Sequence, residues 1–99
     1  MVSITWTELS LEDLKEIFDF IAEDSVRYAS ITSNKIYQSA QLISRNPYVG
    51  RIVPEFNENL IREVIEGNYR IIYRIKNAEH VDILRVYHSA RLLKTKEPD

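Results

Sequence analysis

The chain has 99 residues, a formal net charge of −2 and no cysteine, which suits one domain with a single modest core. The missing cysteines exclude disulfides and thiolate metal sites, so a reducing compartment suffices. The apolar and charged shares, 44% and 28%, are those of an ordinary globular domain and exclude disorder, a collagen-like chain and a long coiled coil.

In chain order, Val2, Ile4 and Trp6 alternate with small polar residues, the pattern of a short strand with one buried face. These opening residues lack the basic start and apolar run of a secretion signal, and no apolar stretch approaches the ~20 residues needed to cross a bilayer. A cytoplasmic location without a membrane partner is therefore expected. Ser10, three residues before Asp13, is placed to cap a first helix while the carboxylate favours its positive end. Leu11, Leu14, Ile17, Phe18 and Ile21 follow at spacings of three and four as one apolar stripe, with Glu12, Lys15, Glu16, Asp19 and Glu23 opposite. Ser25 is placed to cap a second helix whose core face is Ala29, Ile36, Ala40 and Ile43, widened by Tyr37 and Leu42; Pro47 ends it.

Tyr48 to Asn59 reads as an ordered loop, and Leu60 to Ile65 as a strand. Gly67-Asn68 suits a two-residue hairpin turn with positive φ at its first position. Tyr69 to Ile75 is rich in aromatic and β-branched residues, as strands are. Lys76 to Glu79 forms another turn, Val81 to Tyr87 the last strand, and Ser89 to Lys96 a short helical tail before a fraying Pro98-Asp99. The expected fold is one α+β domain over residues 1–99, ordered β-α-α-β-β-β: an antiparallel sheet with a helical hairpin on one face. The pattern leaves open where the first strand joins the sheet.

Charge is unevenly spread. Up to Gly50 there are four Lys/Arg against seven Asp/Glu (−3), and from Arg51 onward nine against eight (+1). That balance does not suit a protein that coats nucleic acid through its overall field. The second half nevertheless holds Arg51, Arg62, Arg70, Arg74, Arg85 and Arg91, enough for a local patch. By strand alternation Arg70 and Arg74 share one face, opposite Tyr69, Ile71, Tyr73 and Ile75; Arg85 and Tyr87 share a face of the neighbouring strand. If the Tyr69 face meets the helices, the arginines face the uncovered side of the sheet.

Several segments resemble the RelE/ParE superfamily of toxins from bacterial type II toxin–antitoxin modules. Pro47-Tyr48-Val49-Gly50-Arg51-Ile52-Val53-Pro54-Glu55 is similar to the loop after the second helix of ParE-type toxins. Ile61-Arg62-Glu63 with Gly67-Asn68-Tyr69-Arg70-Ile71-Ile72-Tyr73-Arg74-Ile75 resembles the central hairpin, and Ile83 to Leu93 the terminal strand and tail. The first helix, with Asp13-Leu14-Lys15-Glu16-Ile17, also fits. The resemblance implies a plasmid-stabilisation or addiction toxin silenced by a cognate antitoxin with an acidic tail, in a hetero-oligomer.

The superfamily holds two mechanisms: ribosome-dependent mRNA cleavage by RelE-type members, and action on DNA gyrase by ParE-type members. Cleavage at a 2′-hydroxyl needs a base, a cation for the phosphate and an acid for the leaving oxygen. The candidates are Arg70, His88 and Arg91, with Glu63 and Tyr87 auxiliary; no metal or other cofactor is expected. Arg62, Arg70, Arg74, Arg85 and Tyr87 are the candidates for contact with antitoxin or target. Each also has a plain structural reading: Arg70 as a partner of Glu63 or Glu66, Arg74 and Arg85 as solvated strand charges, Arg62-Glu63 as a surface ion pair, Arg51 as pinned to a nearby carboxylate, and His88 as a strand-end residue. The chain departs from the RelE pattern. It has no lysine between Arg51 and Tyr73, Ser89 stands where an arginine is common, and the tail from Ala90 has no tyrosine. The reading is therefore ParE-like, with gyrase as the target and the segment around His88 to Lys96 as the first guess for the contact. A ribosome-dependent mRNA endonuclease is the alternative, and a non-toxic module that keeps only antitoxin binding is a third.

Overall fold

The computed structural model describes residues 1–89; the expected tail helix, Arg91 and Pro98-Asp99 lie outside the described residues. The elements are β1 (Ser3–Trp6), α1 (Glu8–Ala22), α2 (Val26–Leu42), β2 (Arg51–Ile52), β3 (Ile61–Glu66), β4 (Tyr69–Asn77) and β5 (His80–His88). They form a five-stranded sheet in the order β1-β5-β4-β3-β2. The expected antiparallel meander is β3-β4-β5, and β2 is a two-residue addition inside the segment expected to be loop. β1 joins parallel to β5, Ser3 opposite His80 and Trp6 opposite Ile83, so the first and last strands are neighbours.

The cap of α1 is Thr7 rather than Ser10. Thr7 Oγ1 accepts from Ser10 N at 3.2 Å and donates to Ile83 O at 2.7 Å, so one hydroxyl starts the helix and ties it to β5. Ser10 lies a turn further in, buried, its hydroxyl donating to Thr7 O. Ser25 caps α2 as expected, accepting from Tyr28 N at 3.0 Å. Ala29, Ile36, Ala40 and Ile43 are fully buried, whereas Tyr37 and Leu42 are exposed. Tyr37 instead covers Trp6 as a stacked ring 6.1 Å away. The α1 stripe is less buried than its spacing suggests: Leu14, Ile17, Phe18 and Ile21 are half-buried and Leu11 is exposed. The deepest side chains of α1 are the polar Ser10 and Asp13.

Both faces of the sheet carry apolar packing. On the helical face, Ile36, Ala40 and Ile43 meet Ile71, Tyr73, Ile75, Val81, Ile83 and Val86. On the other face, Val53, Ile61, Ile72, Leu84 and Tyr87 form a second cluster with Phe56. Leu84 reaches it because β5 bulges there: Ile72 opposes Arg85 while the next residue, Tyr73, opposes Ile83. The segment after β2 folds over this face, held by Val53 N to Ile61 O and by a turn in which Phe56 N and Asn57 N donate to Val53 O. The expectation of an uncovered arginine-bearing surface is thereby corrected. A two-layer domain this small leaves Ile72, Leu84 and Tyr87 exposed unless a loop covers them.

The loop entering β2 is fixed from beneath. The Tyr73 hydroxyl donates to Pro47 O at 2.6 Å and accepts from Gly50 N at 3.0 Å. A Cβ at Gly50 would lie 2.5 Å from Glu63 O and 2.6 Å from the Tyr73 hydroxyl, so only glycine fits. Gly67, at φ 57°, begins the β3–β4 turn as expected.

Candidate functional site

The β4 alternation places Arg70 on the face opposite the helices, across from Ile65 on β3 and Tyr87 on β5. It does not reach solvent there, being 5% exposed. Its Nε donates to Glu63 Oε1 at 2.7 Å, while Nη1 and Nη2 donate to the two oxygens of Glu55 at 2.8 and 2.9 Å. Glu63, itself 1% exposed, takes a further bond from Arg51 Nε at 2.5 Å on its other oxygen. Arg51 is thus pinned to a carboxylate as expected, and Arg51-Glu63-Arg70-Glu55 is a charge-alternating chain. Hydrogen bonding to Glu55, more than to Glu63, holds the Arg70 pKa above the ordinary guanidinium range against the opposing effect of burial. Two carboxylates thus occupy the donors that a phosphate or a partner's carboxylate would need.

Arg85 is closed differently. Its Nε and Nη2 donate to the two oxygens of Asp13 on α1, at 2.8 and 2.9 Å, and Asp13 Oδ2 also accepts from Val86 N at 3.0 Å. Past Trp6 there is no β1 residue to pair with β5, so the Asp13 carboxylate supplies the acceptor that a longer strand would have provided. The bidentate bond to Asp13 raises the Arg85 pKa, burial opposing. The Arg85 guanidinium also lies 4.8 Å from the centroid of Tyr87, a ring that is 8% exposed and belongs to the second core. Arg74 opposes Asp82 across the β4–β5 ladder. Arg62 donates to the carbonyls of Tyr48, Gly50 and Asn59 and to Asn59 Oδ1, and lies 4.9 Å from the Tyr48 ring centroid.

Of the suggested nuclease trio, Arg70 and His88 are not brought together. Tyr87 opposes Arg70, so the next residue, His88, points to the helical face; there its ring meets Tyr69 edge-on at 5.8 Å. Arg70 and His88 are on opposite sides of the sheet, and Arg91 lies outside the described residues. Glu63 is an ion-pair partner of Arg70, as one of the plain readings has it. The pairing of Asp13 with Arg85 and of Glu55 with Arg70 was not legible in the sequence. The signal that could have flagged both is a surplus of arginines on one sheet face that something must neutralise.

One groove among the described residues lies between α2 and the β3–β4 turn, lined by Ile21, Tyr28, Ile31, Lys35, Glu66 and Tyr69. Ser39 Oγ donates to Glu66 Oε1 at 2.6 Å at its margin. Tyr28 is 60% exposed, and Phe20 and Val26 are exposed nearby in the helical hairpin. Desolvation raises the Tyr69 pKa. Among the described residues no group of His, Asp or Glu side chains is arranged to hold a metal ion, and no helix is long and apolar enough to cross a membrane.

A five-stranded sheet with two helices in this order is the fold of the RelE/ParE-like toxins. It is similar to a structure of the chromosomal ParDE toxin–antitoxin system from P. aeruginosa, with a TM-score of 0.72 and 20% identity over 89% of this chain and 96% of that one. It is also similar to a chain of the RelBE2 toxin–antitoxin complex from Mycobacterium tuberculosis, with a TM-score of 0.62 and 25% identity over 88% of this chain and 96% of that one. No curated protein matches the sequence. The sequence model of the ParE toxin of the type II toxin–antitoxin system, parDE, matches residues 4–93, and the chain belongs to that family.

Proposed function

We propose that this ParE-family toxin arrests growth by binding DNA gyrase rather than by cutting RNA, and that a cognate antitoxin silences it by filling the α2–turn groove. The observation that carries the first half is the closure of Arg70. A phosphodiester would have to displace the bidentate Glu55 and approach a second buried carboxylate, Glu63. His88, the candidate base, faces the other side of the sheet. Electrostatic stabilisation of a cleavage transition state requires donors already aimed at the developing charge, and here they are aimed inward.

The antitoxin reading rests on the toxin–antitoxin assemblies to which the fold is similar and on the exposed apolar residues beside the groove. An amphipathic segment laid there would bury Tyr28, Ile31 and Tyr69. Acidic residues of the antitoxin would find Lys35, since Arg51, Arg70 and Arg85 already have internal carboxylates. Neutralisation of an arginine cluster is therefore not the source of its affinity.

Brief induction in a bacterial host, followed by primer-extension mapping of mRNA ends and a supercoiling assay with purified gyrase, tests the reading. Inhibited supercoiling and an unchanged pattern of mRNA ends are expected, with growth arrest persisting in His88→Ala. Codon-positioned cuts that vanish in His88→Ala would establish the endonuclease instead. Growth unaffected by the folded wild-type chain would leave only a partner-binding module.

A further inference from the structure

Each end of β4 carries a concavity. The groove described above adjoins the Gly67-Asn68 turn. The other lies by the β4–β5 turn, some eight residues further along, or roughly 26 Å at strand spacing. This notch is lined chiefly by Val2, Pro47, Tyr48, Leu60, Ile75 and Lys76. Tyr48 and Leu60 are 52% and 46% exposed. Its walls are fixed: Val2 N donates to Ser44 O, Ile75 N to Leu60 O, and Tyr48 N to Asn46 Oδ1.

Its charged lining differs from that of the two other concavities. The α2 groove contains Glu66 and the concavity beside Arg70 contains Glu55, whereas among the described residues no carboxylate lines the notch. Two cations flank it. Lys76 is exposed on its rim, and Arg62 lies over Tyr48, which forms part of its wall. Arg51, Arg70 and Arg85 each hold a carboxylate, but the acceptors of Arg62 are three backbone carbonyls and one amide oxygen, all neutral. Its charge is held in place without being neutralised by an acidic side chain among the described residues.

We infer that the notch is a docking surface for an acidic peptide segment with an aliphatic or aromatic anchor. The apolar floor takes the anchor, Lys76 pairs with a flanking carboxylate, and Arg62, whose N–H groups are engaged, favours acidic residues through its charge alone. A nucleic-acid phosphate fits less well. A phosphodiester would meet the same cations but leave the apolar floor of Val2, Leu60 and Ile75 unfilled. The separation along β4 means that a ligand confined to the groove does not reach this surface. The inference is independent of whether the toxin acts on gyrase.

The test titrates ¹⁵N-labelled full-length chain with a blocked hexapeptide, Asp-Glu-Leu-Phe-Asp-Glu, followed by amide shifts. Saturable shifts confined to Val2, Tyr48, Leu60, Ile75 and Lys76 are expected, with no response to the same peptide carrying Gly-Gly for Leu-Phe, or Lys for its acids. Lys76→Glu, on an exposed side chain, should weaken binding at least about tenfold with an unchanged thermal midpoint, and Leu60→Gln should weaken it through the apolar arm. Absence of shifts, shifts centred on Tyr28 and Tyr69, equal binding of a hexanucleotide, or Lys76→Glu binding within twofold of wild type each overturns the proposal.

Discussion

Replacing Arg70 by Met tests whether its ion network is structural or an open contact site. The substitution keeps most of the stem volume and removes the guanidinium. Glu63, whose side chain has no exposure, keeps only Arg51, which is 63% exposed; Glu55, at 18%, loses its bidentate partner. Stranding a buried carboxylate in this way costs about 3–5 kcal/mol. With a urea slope near 1.5 kcal/mol/M, within the usual ~1–3 range, the denaturation midpoint should fall by roughly 2–3 M. Arg70→Met/Glu63→Met removes the buried charge as well and leaves Arg51 and Glu55 able to reach solvent, so it should recover to within about 2 kcal/mol of wild type. Urea titrations followed by far-UV circular dichroism on the two singles and the double give the full cycle. A cost below about 1 kcal/mol for Arg70→Met, or a double mutant no better than either single, would refute the account of Arg70 as an internally satisfied residue.

Asp13→Ala removes the acceptor for both Arg85 donors and for Val86 N, and should cost about 2–4 kcal/mol. That appears as a clear drop in thermal midpoint, and Arg85→Ala should cost less because Asp13 keeps Val86 N. Gly50→Ala places a methyl 2.5 Å from Glu63 O and should cost at least about 1–3 kcal/mol, with the midpoint of thermal unfolding as the readout. Burial raises the Tyr73 hydroxyl pKa above 10.0, hydrogen bonding to Gly50 partly opposing. Above pH 10 the unfolded chain therefore ionises first and binds fewer protons than the folded one. Stability is full below pH 10 and declines as pH rises toward the folded-state pKa, by up to about 1.4 kcal/mol per pH unit from this group. Urea midpoints from pH 9 to 11.5 should show that decline, and Tyr73→Phe should show less of it. A slope unchanged in Tyr73→Phe would remove Tyr73 as its source.

The periodic parts of the chain were readable before any coordinates. Ala29, Ile36, Ala40 and Ile43 repeat at helical spacing and are buried; the alternation from Tyr69 to Ile75 divides the two sheet faces correctly, and Gly67-Asn68 marks its turn. Long-range satisfaction was not readable. Thr7 outranks Ser10 as a cap because β5 offers it the Ile83 carbonyl, a partner 76 positions away that no local pattern encodes. The parallel seat of β1 has the same origin. At the candidate site, alternation placed Arg70 and Arg85 on one face correctly but could not show that a loop glutamate and a helix aspartate would close over them. Charge pairing across the fold depends on which irregular segment covers which face, and Tyr48 to Asn59 carries no period from which to deduce that. His88 illustrates the converse: the alternation that puts Arg70 opposite Tyr87 turns its neighbour His88 away from the arginine.

The adjacency of the first and last strands sets the order in which the molecule can be made. During synthesis the helical hairpin emerges early, but β1 has no edge to join and Ile36, Ala40 and Ile43 have no sheet to cover until β4 and β5 have left the ribosome. Cooperative structure then waits until β5 has emerged, and a product stopped before His80 lacks the strand that bridges β1 to the meander. Such a fragment should show helical signal without a cooperative melt; a sigmoidal transition would contradict this. A chain built this way has no complete sheet until β5 has been made.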